Sequence, residues 1–366
     1  MTQLWWAQIR AVIRLEMKKT FFAKRGLWIY LLALMPVVLW IGHAIQTSYQ
    51  REARVRLAAK NEKHLTPRDL AAVASGMTSQ EVVQRLGMPS EVWSWNRRKQ
   101  AGSNATVNVV YENRRYTDGE SDLYVHLEDG KVTGVALSHG DNLGDDSVVF
   151  AAVFQFFFLR LAIFFGCLGI FMNLFRGELL DKSLHFYFLA PVRREVVLAG
   201  KYFAALLAAT VIFASSEALQ IAAFAWHFDP NVLNNYLYHG SGLTHFAAYL
   251  GVTLLACVGY GSLFLAAGLV FRNPIFPAAG ILIWEAINPF LPTVLQKFSV
   301  IYYLKALCPV PIPVAPGTAP LLALFVSNPD PIASSVAILG VVFVSAAILF
   351  LSGFQVRRMQ IDYTTE

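Results

Sequence analysis

Long apolar runs separated by short polar breaks occupy most of the chain, and their spacing predicts the elements. Runs at residues 27–45, 148–175, 202–226, 244–271, 275–291 and 332–354 reach or approach the roughly 20 residues needed to cross about 30 Å of hydrocarbon. Residues 2–24 repeat apolar positions at helical spacing, with Trp5, Ile9, Val12 and Ile13 on one face and Arg10, Arg14 and Lys18 opposite. That pattern predicts a helix lying along a membrane surface, with Glu16 on the apolar side as its misfit. Lipid contact accounts for the apolar face, and the basic stripe is also a candidate contact for a cytoplasmic partner.

Residues 47–147 follow different periods. Residues 51–61 extend the first span as a helix, and Thr66 caps a second helix that starts at Pro67. Thr78 and Glu81 have the spacing of a capping box, Gly87 closes that helix, and Pro89 prevents its continuation. Strand-like alternation follows at 107–111 and 123–127, and Asp129-Gly130 turns into a third strand at 132–137.

The flanks predict orientation. Arg10, Arg14, Lys18, Lys19, Lys24 and Arg25 precede the first span, Arg357-Arg358 follow the last, and the loop at 227–242 carries no Lys or Arg. The positive-inside rule then puts both ends in the cytoplasm. The expected fold is an all-α polytopic membrane protein with six transmembrane helices. Its segments are an interfacial helix at 1–26, helix 1 at 27–46, a small α+β extracytoplasmic domain at 47–147, and helices 2–6 within 148–366. The prolines of 293–331 predict short helices dipping into the outer leaflet rather than one continuous span. Composition agrees, with 56% hydrophobic and 15% charged residues in 366 and a mean hydropathy of +0.48. The net charge of +6 sits largely beside the spans, which argues against nucleic acid as a partner. The first apolar run is too long for a cleaved signal core.

Catalytic patterns are missing. No phosphate-loop, G-x-S-x-G or H-E-x-x-H motif occurs, and Cys167, Cys257 and Cys308 have no metal or disulfide spacing. The expectation is a chain with no metal, cofactor or catalytic residue of its own. Three charges interrupt the spans: Arg160, Glu217 and Glu285. At about 1.5 Å per residue they lie roughly 18, 13 and 10 Å below the outer boundary, near enough to pair. They read either as a network joining helices or as a polar patch lining a translocation path.

The largest charged break among the later spans is RGELLDKSLHFYFLAPVRREVVLAGK, residues 176–201. Residues 178–188 form a short amphipathic pattern with Leu180, Leu184, Tyr187 and Phe188 on one side, and Pro191 ends it. A positive cytoplasmic flank explains Arg193, Arg194 and Lys201, but a short helix with an apolar face needs something to pack against. The order Arg176, Glu178, Leu184, Leu189, Pro191, Val192, Arg193, Gly200 and Lys201 resembles the first cytoplasmic loop of the membrane subunits of ABC-2-type exporters. Lys182-Ser183 stand where many relatives have Gly-Thr. The resemblance implies a permease of the bacterial inner membrane, working with a second permease copy and with ABC ATPase subunits that carry ATP and Mg. It implies a coupling helix at 177–191, with Glu178, Leu180, Leu184, Tyr187, Phe188, Pro191, Arg193 and Arg194 as ATPase contacts. Arg10, Arg14 and Lys18 would lie beside it, and the turn at 272–277 would be a lesser contact. The mostly apolar path leans towards an amphipathic or lipid-like cargo. Two alternatives stand: a mechanical transmitter that moves its external domain without passing substrate, and an ATPase-independent membrane enzyme or sensor. The external segment GMTSQEVVQRLGMP followed by LYVHLEDGKVTGVAL resembles the small domain of the SmpA/OmlA outer-membrane-assembly lipoproteins, tethered here by membrane spans. That resemblance implies a protein- or peptide-contacting surface within 65–140, facing a periplasmic partner, and a passive spacer is its alternative.

Overall fold

Helix α1 (Thr2–Phe22) is the predicted amphipathic helix, and α2 (Leu27–Ala58) carries the first apolar run and its extension without a break. The computed structural model describes residues 2–22, 26–60, 63, 65–101, 105–139, 142–175, 193–271, 273, 275–313 and 332–358. They fall into two units, residues 42–146 and residues 1–41 with 147–366.

In the 42–146 unit, two threonines decide where helices begin. Thr66 caps α3 (Pro67–Ala71) and Thr78 caps α4 (Ser79–Leu86), each within a reciprocal box closed by Asp69 or Glu81. Four antiparallel strands follow in sheet order β1 (Glu91–Ala101), β2 (Ala105–Thr117), β3 (Ser121–Glu128) and β4 (Lys131–His139). Asp129 and Gly130 take φ of 49° and 78°, the left-handed pair that a tight β3–β4 hairpin requires. Leu70, Val82 and Leu86 from the helices bury against Tyr116, Val125 and Leu127 of the sheet.

Strand β1 was not among the predicted strands. Its residues 92–98 are all exposed, so no buried face imposes a period-two pattern, and Arg97-Arg98-Lys99 mask what alternation remains. Backbone pairing with β2 from Glu91↔Arg115 to Ala101↔Ala105 holds it, helped by Trp95 stacked on Tyr111 at 5.9 Å. Arg115 adds side-chain ties, donating to Glu91 at 3.0 Å and to Asp122 at 2.9 Å.

The caps make this unit acid-sensitive. The backbone N–H and hydroxyl of Thr78 donate to Glu81, and the hydroxyl and backbone N–H of Thr66 donate to Asp69, so both carboxyls titrate below their usual values of 4.5 and 3.8. A depressed carboxyl stabilises the fold fully above its unfolded value, and that contribution is lost as pH falls through the lower folded value. Amide exchange over 67–86 in the intact protein, corrected for intrinsic rates, is expected to accelerate on acidification through that window. Glu81→Gln should remove the share belonging to α4; an unchanged pH response in that variant would contradict the assignment.

The other unit continues with α5 (Leu143–Phe175), most of which belongs to it, then α6 (Arg194–Trp226), α7 (Gly242–Val270), α8 (Ile275–Ile287), α9 (Val300–Ala306) and α10 (Ser334–Arg358). Among the described residues, five helices, α2, α5, α6, α7 and α10, are long and apolar enough to cross a membrane, which marks a multi-pass membrane protein. The run at 275–291 yields α8, of 13 residues, followed by a 3-10 turn at Asn288–Phe290. At about 1.5 Å per residue α8 covers roughly 20 Å, short of the membrane core. Pro289 and Pro292 end its helical pattern.

Helix α5 packs on α6 and α7 through a ladder of aromatic rings. Its Phe150 and Phe154 meet Tyr249 of α7, Phe158 meets Phe213 of α6, and Phe164 meets Tyr260 and Phe264 of α7. Residues Val153–Ile163 of this helix are π-helical, and both Gln155 and Arg160 sit in that segment. Such wider turns are rare and occur often at functional sites.

Candidate functional site

Two groups of polar side chains stand out in an otherwise apolar unit. The first gathers at the start of α6. Trp5, Ile9, Val12 and Glu16 fall on one stripe of α1, and this stripe faces α6. Arg193 lies over the Trp5 ring at 5.2 Å. A Cβ on Gly200 would stand 2.9 Å from the Val12 side chain, so the close approach of the two helices depends on glycine there. One residue on, Lys201 Nζ donates to Glu16 Oε1 at 2.7 Å and to the Leu174 carbonyl of α5 at 3.2 Å, and it lies 5.5 Å from the Phe175 ring. Lys201 is fully buried and Glu16 nearly so. The apolar side of α1 is therefore partly covered by the chain itself, and the misfit glutamate is its anchor.

The same turns of α6 hold α10. Arg194 Nη1 donates to the Arg357 carbonyl at 3.1 Å, satisfying part of the C-terminal end of α10, and Arg357 pairs with Glu195. Next to this pair, α6 and α10 leave an apolar groove of about 340 Å³ lined by Leu198, Tyr202, Phe203, Leu349 and Phe350. Arg193 and Arg194 thus sit in a junction of four helices. Arg10 and Arg14 are exposed, away from the α6 face of α1. The side chain of Lys18 and the predicted contacts Glu178, Leu180, Leu184, Tyr187, Phe188 and Pro191 lie outside the described residues, as do Arg272, Pro274 and residues 314–331.

The second group contains the three charges that interrupt apolar runs, each in a different setting. Glu285 is buried and accepts from the Ser299 hydroxyl at 2.7 Å, Val300 N at 3.1 Å and Ile301 N at 2.9 Å. Its carboxylate is the N-terminal cap of α9, supplied by a residue of α8. Arg160 stands within electrostatic reach of Glu285, and its guanidinium lies over Phe156 at 5.6 Å. Arg160 Nη2 is buried without a hydrogen-bond partner. Glu217 is fully buried on α6, and neither carboxylate oxygen has a hydrogen-bond partner. The described residues therefore bring Arg160 and Glu285 near each other and form no ion pair among the three.

The pairing of Lys201 with Glu16 is what sequence reasoning did not foresee. Their signal was present: one acid on the apolar stripe of a basic helix, and one lysine after a glycine inside an apolar helix. Each is costly to bury alone. Comparison with protein-family models, with curated proteins and with solved structures gives no match.

Proposed function

We propose that this chain is the membrane-spanning permease subunit of an ATP-driven exporter, coupling a separate ATPase to the export of an amphipathic or lipid-like substrate. The observation that carries this reading is the junction at the start of α6. Lys201 and Arg194 tie α1, α5 and α10 to the turns of α6 that follow residues 177–191. A push delivered to that segment would reach four helices, as a rigid-body switch needs. In this reading the bundle has six spans with both ends cytoplasmic, the fifth being α8 with its 3-10 turn, a short span that local thinning of the bilayer would accommodate. Residues 47–147 are extracytoplasmic, and the membrane is the bacterial inner membrane. ATP and Mg belong to the partner ATPase, and the chain itself is not catalytic. The exposed apolar sides of α2 and α10 would meet lipid or a second permease copy.

Leu184→Asp or Tyr187→Asp is expected to leave the protein inserted and folded while cargo-stimulated ATP hydrolysis by the assembled complex drops to its basal rate. Undiminished stimulation would sink the reading. Mechanical transmission remains the second reading, favoured by the 42–146 segment being a unit with its own core and with Trp93 and Trp95 exposed. Removing residues 65–140 separates the two: an exporter keeps cargo-stimulated hydrolysis, and a transmitter loses its response to a periplasmic partner.

A further inference from the structure

Between two aromatic layers of the bundle lies a polar layer that the coupling reading does not use. Glu217 and Gln220 are about one turn apart on α6, Tyr249 and Thr253 about one turn apart on α7, and Gln155 lies in the π-helical segment of α5. All five are buried. Ring contacts fix their level. Phe158 meets Phe213, one turn from Glu217, at 6.2 Å, while Phe150 meets Phe224 at 5.3 Å and Phe154 meets Tyr249 at 4.7 Å. The order of these contacts makes α5 and α6 antiparallel, which brings Gln155 and Glu217 to the same depth between the two aromatic layers.

Among the described residues, most polar atoms of the layer lack hydrogen-bond partners. Both Glu217 oxygens, both ends of the Gln155 amide, Gln220 Oε1 and the hydroxyls of Thr253 and Tyr249 make no hydrogen bond. Gln220 Nε2 reaches Ser216 Oγ at 3.3 Å, and Ser216 donates to the Ala33 carbonyl of α2. Buried polar atoms are nearly always satisfied, so a cluster of unsatisfied ones is a place suited to a small polar ligand. Of the titratable groups facing this layer, Tyr249 from α7 and Cys308, just beyond α9, stand within electrostatic reach of Glu217. Arg160 acts on Glu285 and Lys305 instead, and no described lysine, arginine or histidine forms an ion pair with Glu217.

We propose that this layer is an intramembrane site for one monovalent cation, with Glu217 supplying the charge and Gln155, Gln220, Thr253 and Tyr249 supplying neutral oxygens. One carboxylate balances one positive charge, whereas a divalent ion would leave a charge uncompensated in apolar surroundings. The positive charge comes either from an alkali-metal ion or from a proton on Glu217, and one experiment distinguishes the two. Thermal unfolding of the full-length protein is followed in zwitterionic nanodiscs in NaCl, KCl and choline chloride at equal ionic strength, at acidic and at alkaline pH. With an alkali-metal ion bound, NaCl or KCl raises the transition saturably over choline, and Glu217→Gln weakens that response roughly thirtyfold or more. With a proton bound, the salts are indistinguishable, and the wild-type transition falls as pH rises. The pH dependence is then flattened in Glu217→Gln, and the infrared band of a protonated carboxyl disappears with it. Identical responses of wild type and Glu217→Gln to every salt and to pH would overturn the site. Should Glu217→Gln not fold, a Thr253→Val response to NaCl and KCl equal to that of the wild type overturns the metal-ion site, and a wild-type transition that does not fall as pH rises overturns the bound proton. No ATPase enters the assay, so its outcome is independent of the coupling test at Leu184.

Discussion

Replacing Lys201 with methionine is expected to destabilise the helical unit by about 3–5 kcal/mol, because Glu16 then stays buried without its partner. The pair is 2.7 Å long, with side-chain exposures of 0% and 5%, so water cannot take over the role of the ammonium. The cost is that of a buried charge deprived of the Lys201 ammonium, not the net worth of the ion pair. Lys201→Met combined with Glu16→Leu should therefore recover most of the loss, since an apolar pair of similar volume is close to neutral in such a place. Unfolding midpoints of the four proteins in one detergent give the coupling energy directly. Additive single effects would show that the two side chains do not depend on each other.

A comparable loss is expected at Glu285. Glu285→Ala removes the acceptor for the Ser299 hydroxyl and for two backbone N–H groups of α9, all of them buried. Donors left unsatisfied in the interior cost about 1–3 kcal/mol each, so the first turn of α9 should open. Glu285→Gln keeps one neutral acceptor and should restore part of the effect. The readout is local: Cys308 lies just past α9, with its thiol donating to the Leu304 carbonyl at 3.4 Å. Its labelling by a thiol reagent should accelerate at least tenfold in Glu285→Ala, roughly the factor set by losing one such bond. Cys167 and Cys257 are fully buried and serve as internal controls. Labelling at the wild-type rate would remove Glu285 as the cap.

The parts of this architecture governed by local rules were legible in the sequence. Apolar run length foretold α2, α5, α6, α7 and α10, and the Thr78–Glu81 spacing foretold the start of α4 and its box. The left-handed Asp129-Gly130 pair was readable because few other residues tolerate that turn. Strand β1 was not readable, since an exposed strand gains its stability from backbone pairing with β2 rather than from a periodic face. Polarity within apolar runs was enough to select Arg160, Glu217 and Glu285, but not to assign their neighbours. Those depend on which helix faces which: Glu285 meets Ser299 through a turn, and Glu217 comes within electrostatic reach of Tyr249 across α6 and α7. Glu16 and Lys201 each looked like a departure from a local pattern. Only the packing of α1 on α6 makes the two departures a single feature.

That feature also sets an order of events during synthesis. Glu16 and Lys201 are 185 residues apart in the chain. At about 5–20 residues per second, the ribosome needs roughly 10–40 s to bring the lysine out after the glutamate. For that interval α1 exists without the surface it will occupy, carrying an acid on its apolar side. A nascent α1 that stays accessible until α6 has emerged, and only then becomes protected, is the kinetic counterpart of the buried pair.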